Sequence, residues 1–123
     1  MDKLALVVFR VVASTGRRSR ATVRVSWDDR DHAEAEAEGD SPMDALFRAT
    51  DSAVGVRGEV VGLRIHAFDD YGMVGKARIT VNFEGREYGG RGSSPDAVEA
   101  VAHAYLRAVA AYLSDQVPKT SAR

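Results

Sequence analysis

The feature that most restricts this chain is that it is written twice. Ser41-Pro42 and Ser94-Pro95 each follow a glycine-containing stretch and open an apolar helical pattern, at an offset of 53 residues. Upstream, Ala21-Thr22-Val23-Arg24-Val25-Ser26-Trp27 lies over Ala77-Arg78-Ile79-Thr80-Val81-Asn82-Phe83 at an offset of 56 residues. Gly16 lies over Gly72, and residues 9–11 lie over 65–67. The two offsets, 56 and 53, place three extra residues in the first copy between its second strand and its helix. Self-similarity at such a period means that one supersecondary unit is used twice and buries its apolar face against its own copy.

Each copy opens on a strand pattern. Residues 5–13 are apolar on both faces, with Val7, Phe9 and Val11 on one and Leu6, Val8 and Val12 on the other. Their counterpart, 61–69, carries Arg64 and His66 on its second face. A strand apolar on both sides needs two covers: its own helix layer on one, and a partner chain as the candidate for the other. Residues 21–27 and 76–83 alternate with period two, pointing Val23, Val25 and Trp27 inward in the first and Ile79, Val81 and Phe83 in the second. Asp28-Asp29-Arg30-Asp31 and Glu84-Gly85-Arg86 are turns. Residues 32–38 alternate alanine with Glu34, Glu36 and Glu38. Propensity alone also allows a helix there, but the repeat assigns a strand, because the counterpart is 87–91. The acidic stripe is a solvated strand face.

Helices follow over 42–54 and 97–113. Met43, Leu46, Phe47, Ala49 and Ala53 face the sheet in the first, and Val98, Val101, Ala102, Tyr105, Val109 and Tyr112 form the apolar face of the second. Ser94 is the expected N-cap of the second helix, with Pro95 at its first position and Asp96 on the positive end of its dipole. The fold class is therefore α+β: a duplicated βββα unit with pseudo-twofold symmetry, its helices packed on antiparallel sheet. One domain is expected over 1–117, with repeat one at 4–54, a linker at 55–58, repeat two at 59–116 and a disordered tail at 118–123.

Composition narrows the partners. The formal charge of the 123 residues is −1, which gives no electrostatic reason to expect nucleic acid or an anionic membrane. Without cysteine there is no disulfide framework and no thiolate metal site, which fits a cytoplasmic location. The apolar start is broken by Arg10 and lacks a cleavage site, so it reads as a strand and not a signal peptide. No apolar run approaches the length of a membrane span.

Few residues carry a chemical pattern. Gly89, Gly90 and Gly92 lack the lysine and hydroxyl of a phosphate loop and read as a strand end before a helix cap. His32, His66 and His103 lack metal-ligand spacing, and neither a metal nor a cofactor is expected. If the chain were an enzyme, His66 with Asp69 or Tyr71 would be its acid/base candidates. Tyr105 is read as helix core.

The two helix-opening loops resemble those of the C-terminal regulatory (allosteric, dimerisation) domain of 2-isopropylmalate and citramalate synthases. Gly39-Asp40-Ser41-Pro42-Met43-Asp44-Ala45 is similar to that family's G-N-G-P-[VI]-D-A loop. Gly90-Arg91-Gly92-Ser93-Ser94-Pro95-Asp96, followed by Ala97-Val98-Glu99-Ala100, Ala104-Tyr105 and Ala108, is similar to the family's G-R-G-x-S-T-D pattern and the helix after it. Asp40 stands where the family has Asn, Ser41 where it has Gly, and Pro95 where it has Thr. The resemblance covers residues 4–116.

It implies a homodimer that binds leucine or isoleucine near the two loops and regulates a partner synthase. Helix N-termini receive a carboxylate, and apolar side chains of the first turn receive a branched side chain. The implied ligand contacts are Gly39, Asp40, Ser41, Pro42 and Met43, with Gly92, Ser93, Ser94 and Asp96. An inward Asp40 would repel a carboxylate and hold an α-ammonium. No catalytic barrel is present, and Met1 fits a free-standing domain. The expected function is a non-catalytic small-molecule-binding and dimerisation domain. The alternative is a copy recruited as a biosynthetic enzyme, a cyclase or isomerase working in the cleft between the repeats.

Overall fold

A computed structural model describes residues 4–13, 15–27, 31–66 and 75–116. The order is β1 (Leu4–Val12), β2 (Ser19–Trp27), β3 (Asp31–Gly39), α1 (Pro42–Val54), β4 (Glu59–His66), β5 (Gly75–Phe83), β6 (Arg86–Ser94) and α2 (Ala97–Gln116). The expected βββα duplication is therefore present. It builds two three-stranded antiparallel sheets, β1-β2-β3 and β4-β5-β6, each paired to the next strand in sequence. Asp69, Tyr71, Gly72 and the tail at 118–123 lie outside the described residues.

Period-two alternation gives each sheet one dry face. Ala21, Val23 and Val25 of β2 are buried on the first, and Ala77, Ile79, Val81 and Phe83 of β5 on the second. Beneath them lie two core clusters. One holds the β5 residues with Ala100, Val101, Ala104, Tyr105, Ala108 and Val109 of α2. The other joins β2 to Ala45, Leu46 and Ala49 of α1, and also to Ala102 and Leu106 of α2. Helix α2 therefore packs on both repeats, which is why its apolar residues are not confined to one stripe.

Helix α1 divides its contacts differently from expectation. Leu46 and Ala49 face the first sheet as expected, joined by Ala45 and by Thr50, whose hydroxyl donates to the Leu46 carbonyl at 2.9 Å. Met43 and Phe47 instead turn to the core of the second repeat, and Phe47 stacks on Tyr105 with ring centroids 4.6 Å apart. The helix ends at Gly55, whose φ of 86° is the left-handed conformation that closes a helix without a Cβ clash.

The start of α2 is a correction. Ser94 is not its N-cap, and Pro95 is not its first residue. The pairing of Gly75 with Ser94 holds Ser94 in β6, which runs three residues beyond the expected end at Arg91. Asp96 is the cap: its carbonyl accepts from the Ala100 N–H at 2.9 Å and its Oδ1 accepts from the Val98 N–H at 2.9 Å. Ser94 acts one step earlier, its Oγ accepting from the Asp96 N–H at 3.2 Å. The two Ser-Pro pairs are thus alike in sequence and different in place. Ser41 caps α1, and the residue that corresponds to it is Asp96.

Gly90 and Gly92 are buried inward positions of β6 and not a loop. A Cβ on Gly90 would lie 2.0 Å from the Ala104 carbonyl oxygen, and one on Gly92 2.1 Å from that of Ala100. The missing side chains let α2 lie directly on the strand. At its far end α2 is held by Phe83 stacked on Tyr112 at 4.6 Å and by the Tyr88 hydroxyl donating to Asp115 at 2.6 Å.

Candidate ligand-binding site

An open groove of about 770 Å³ lies between α1 and the chain that leads into β4. Met43, Phe47, Val56, Val60 and Leu63 supply its apolar wall, and Ser41, Asp44, Arg48, Asp51 and Arg57 supply polar groups. Its upper end is the start of α1. Ser41 there has extended backbone and its Oγ accepts from the Asp44 N–H at 3.1 Å. The Asp44 carboxylate accepts from the Asp40 N–H at 3.0 Å, and Arg48 donates to it from the next turn at 3.1 Å. The Ser41 cap, the bond from Asp40 to Asp44 and the i,i+4 pair together fix the first turns of the helix.

At the floor of the groove, Asp51 ties three segments together. Its Oδ1 accepts from the Tyr105 hydroxyl at 2.5 Å, and its Oδ2 accepts from the Gly58 N–H at 3.1 Å. Burial raises the Asp51 carboxyl above its ordinary value, opposed by the bonds from Tyr105 and Gly58 and by the charge of Arg57. Burial, and then the charge of Asp51, push the Tyr105 hydroxyl well above the usual tyrosine range. Tyr105 is thus a core residue with its hydroxyl spent on Asp51. Gly58 sits so close beneath that a Cβ would lie 2.6 Å from the Tyr105 oxygen.

The expected ligand residues separate into several places. Ser41 and Met43 line the groove. Pro42 opens α1 beside them, half-buried. Gly39 is packed under the helix start, where a Cβ would meet the Ala45 nitrogen at 2.5 Å. Asp40 faces solvent and pairs with Arg18 at 3.5 Å, so its carboxylate does not enter the groove. From the second loop, Gly92 and Ser93 line a different, smaller cleft with His66, Lys76, Arg78, Arg91 and Arg107. Ser94 is buried at 6% exposure, and Asp96 is occupied as the cap of α2. Among the described residues, the groove at α1 and the cleft at the second loop therefore share no lining residue.

His66 lies on the exposed end of β4, and its proposed companions Asp69 and Tyr71 are outside the described residues. His103 pairs with Glu99 at 3.2 Å along α2. Among the described residues, no three His, Asp or Glu side chains gather where they could hold a metal. No helix there is long and apolar enough to cross a membrane. Sequence reasoning missed Phe47, Asp51, Arg57 and Leu63 as groove residues. Asp51, two helical turns beyond Met43 on the same side of α1, was the available signal: an acid placed on an otherwise apolar flank.

The inner face of the second sheet is left partly bare. Leu63 pairs with Ile79 and Ile65 with Ala77, so both stand on the helix side. They are nevertheless 36% and 43% exposed, while their cross-strand partners are buried. The architecture is thus a duplicated βββα domain with a groove at one helix N-terminus and a partly exposed apolar strand beside it. The sequence profile of the LeuA allosteric (dimerisation) domain matches residues 1–113, and the chain belongs to that family. It is 37% identical to 2-isopropylmalate synthase of Sediminispirochaeta smaragdinae over 106 residues, covering 85% of this chain and 21% of that protein. It is 35% identical to 2-isopropylmalate synthase of Pyrococcus furiosus over 108 residues, covering 87% of this chain and 21% of that one. With the enzyme of Xanthomonas campestris the identity is 36% over 96 residues, 77% of this chain and 18% of the relative. The chain thus spans about a fifth of the length of the curated relatives it matches.

Proposed function

We propose that this domain binds a branched-chain amino acid or a closely related small acid in the groove between α1 and β4. We propose further that it associates as a homodimer in the cytoplasm and exerts feedback on a 2-isopropylmalate synthase. The observation that carries the binding reading is the groove itself: Met43, Phe47, Val60 and Leu63 offer an aliphatic side chain an apolar wall, beside the Arg48 and Arg57 guanidinium groups. A ligand carboxylate meets those cations, and its ammonium meets Asp44. The exposed apolar residues Leu63 and Ile65 next to the groove support association of two copies, and a second copy there would complete the wall. Ligand then acts by favouring one arrangement of the dimer.

A thermal-shift screen with leucine, isoleucine, valine and their 2-oxo acids tests this reading. A ligand at a hundred times its dissociation constant adds about 2.7 kcal/mol to stability. A rise in melting temperature with any of them, specific to the L-isomer for the amino acids, supports the reading. Identical melting with all six compounds contradicts it.

A further inference from the structure

The outer faces of the two sheets follow the same repeat and carry opposite charge logic. On the first sheet the cross-strand rows are Val8–Arg24–Glu34, Arg10–Thr22–Glu36 and Val12–Arg20–Glu38. Arg24 pairs with Glu34 and Arg20 with Glu38, each at 3.0 Å. On the second sheet the matching rows are Gly62–Thr80–Gly89, Arg64–Arg78–Arg91 and His66–Lys76–Ser93. Every glutamate of the first sheet's stripe is replaced: Glu34 by Gly89, Glu36 by Arg91 and Glu38 by Ser93. Arg64, Arg78 and Arg91 stand directly opposite one another across three strands. None of them, nor Lys76, forms an ion pair among the described residues.

Like charges placed directly across a sheet destabilise it, so the row is a cost that the bare domain carries. Arg107 adds a further cation. Its side chain leaves α2, passes the free edge of β6 and donates to the Arg91 carbonyl at 2.9 Å. There it joins two adjoining clefts of about 390 and 380 Å³, both lined by Arg78, Arg91 and Arg107 and, among the described residues, neither lined by an acidic side chain. The chain as a whole has a formal charge of −1, so the cations are gathered onto one face and are not a property of the composition.

We infer that the outer face of the second sheet is a binding site for a compact small-molecule polyanion, one carrying several phosphate or carboxylate groups. Strands lie about 4.8 Å apart, so the three arginine positions span about 10 Å, with the Lys76 row about 7 Å along the strands. That footprint fits two or three anionic groups on one small molecule. It is too short for a tracking groove on nucleic acid, and among the described residues no Phe, Tyr or Trp ring lines either cleft to stack a base. Guanidinium groups take phosphate or carboxylate oxygens in bidentate pairs, and the Ser93 hydroxyl adds a neutral donor beside Lys76. The site is separate from the groove at α1, with which it shares no residue.

Isothermal titration with tripolyphosphate and with citrate tests the assignment and tells phosphate from carboxylate preference. The wild-type chain is expected to bind at least one of them saturably, more weakly as salt is added. Arg78→Gln is expected to weaken that binding about tenfold or more, while melting no lower than wild type without ligand, because a like-charge contact is removed. Arg24→Gln, on the charge-balanced first sheet, is the control and is expected to bind as wild type does. The proposal is overturned by the absence of saturable heat at millimolar concentrations of both anions. It is overturned equally if Arg24→Gln loses as much affinity as Arg78→Gln, or if only a DNA duplex or anionic vesicles bind.

Discussion

The Tyr105 hydroxyl of α2 donates to the Asp51 carboxylate of α1 at 2.5 Å, and this bond joins the two repeats through the floor of the groove. The same carboxylate holds the Gly58 N–H at 3.1 Å, which anchors the chain entering β4. The linker, the second helix and the groove thus depend on one acid. Tyr105→Phe keeps the ring stacked on Phe47 and leaves Asp51 with one donor fewer. It is expected to cost about 1–3 kcal/mol, the penalty for depriving a buried polar group of its partner, measured as a lower urea midpoint. An unchanged midpoint would mean that the bond contributes nothing.

Asp51 also predicts a pH signature. Its folded value is raised above about 3.8, mainly by burial. Between that ordinary value and the raised one, the folded chain binds more protons than the unfolded chain, so stability falls as pH rises through the window. The contribution is complete below 3.8 and is lost once pH passes the folded value. Subtracting the urea stability of Asp51→Asn from that of wild type isolates it. The difference is expected to move against wild type as pH rises from below 3.8, and a difference that moves the other way would contradict the assignment.

The close seat of α2 on β6 gives a paired test. Gly90→Ala forces a methyl to within 2.0 Å of the Ala104 carbonyl oxygen, whereas Gly89→Ala meets only the Ile79 carbonyl oxygen at 3.7 Å. Overpacking of this kind costs about 1–3 kcal/mol, so Gly90→Ala should melt well below wild type and Gly89→Ala close to it. Equal melting of the two variants would contradict the packing described.

Capping of α2 separates two neighbours. Asp96→Ala removes the acceptor of the Val98 N–H and is expected to cost about 1 kcal/mol, while Asp96→Asn keeps an acceptor and loses little. Thermal unfolding of the two variants reads the difference directly. If both variants melt like wild type, Asp96 is not the cap.

Much of this fold is written in the chain. The bounds of α1 were legible because Ser41-Pro42 and Gly55 are both a start and a stop by local chemistry. The strands were legible from alternation, and the repeat settled the ambiguous Ala/Glu run. The start of α2 was not, because Ser94-Pro95 repeats the local signal while ladder pairing with Gly75 keeps Ser94 in the strand. Residues before proline favour extended backbone, which suits Ser94 equally as a cap or as a strand end. Gly90 and Gly92 were legible as a strand end but not as packing positions, because only the approach of α2 shows why a Cβ is missing. Of the site, Ser41 and Met43 were legible from the family's loop, but Asp51 and Leu63 were not. An amphipathic pattern shows which flank of a helix is apolar and not which of two neighbouring elements covers it. The charge difference between the two outer faces emerges only when strand register sets Arg64, Arg78 and Arg91 side by side.

The proposed role of the groove between α1 and β4 is to receive a small branched acid. Isothermal titration of leucine and isoleucine into wild type and into Ser52→Trp tests it most directly, because Ser52 is an exposed helical residue on the groove wall. Its replacement should fill the groove without disturbing the core, as circular dichroism can verify. The account predicts saturable binding to wild type that is weakened about tenfold or more in the variant. Equal affinity in both proteins, or no binding of either amino acid to wild type, would contradict it.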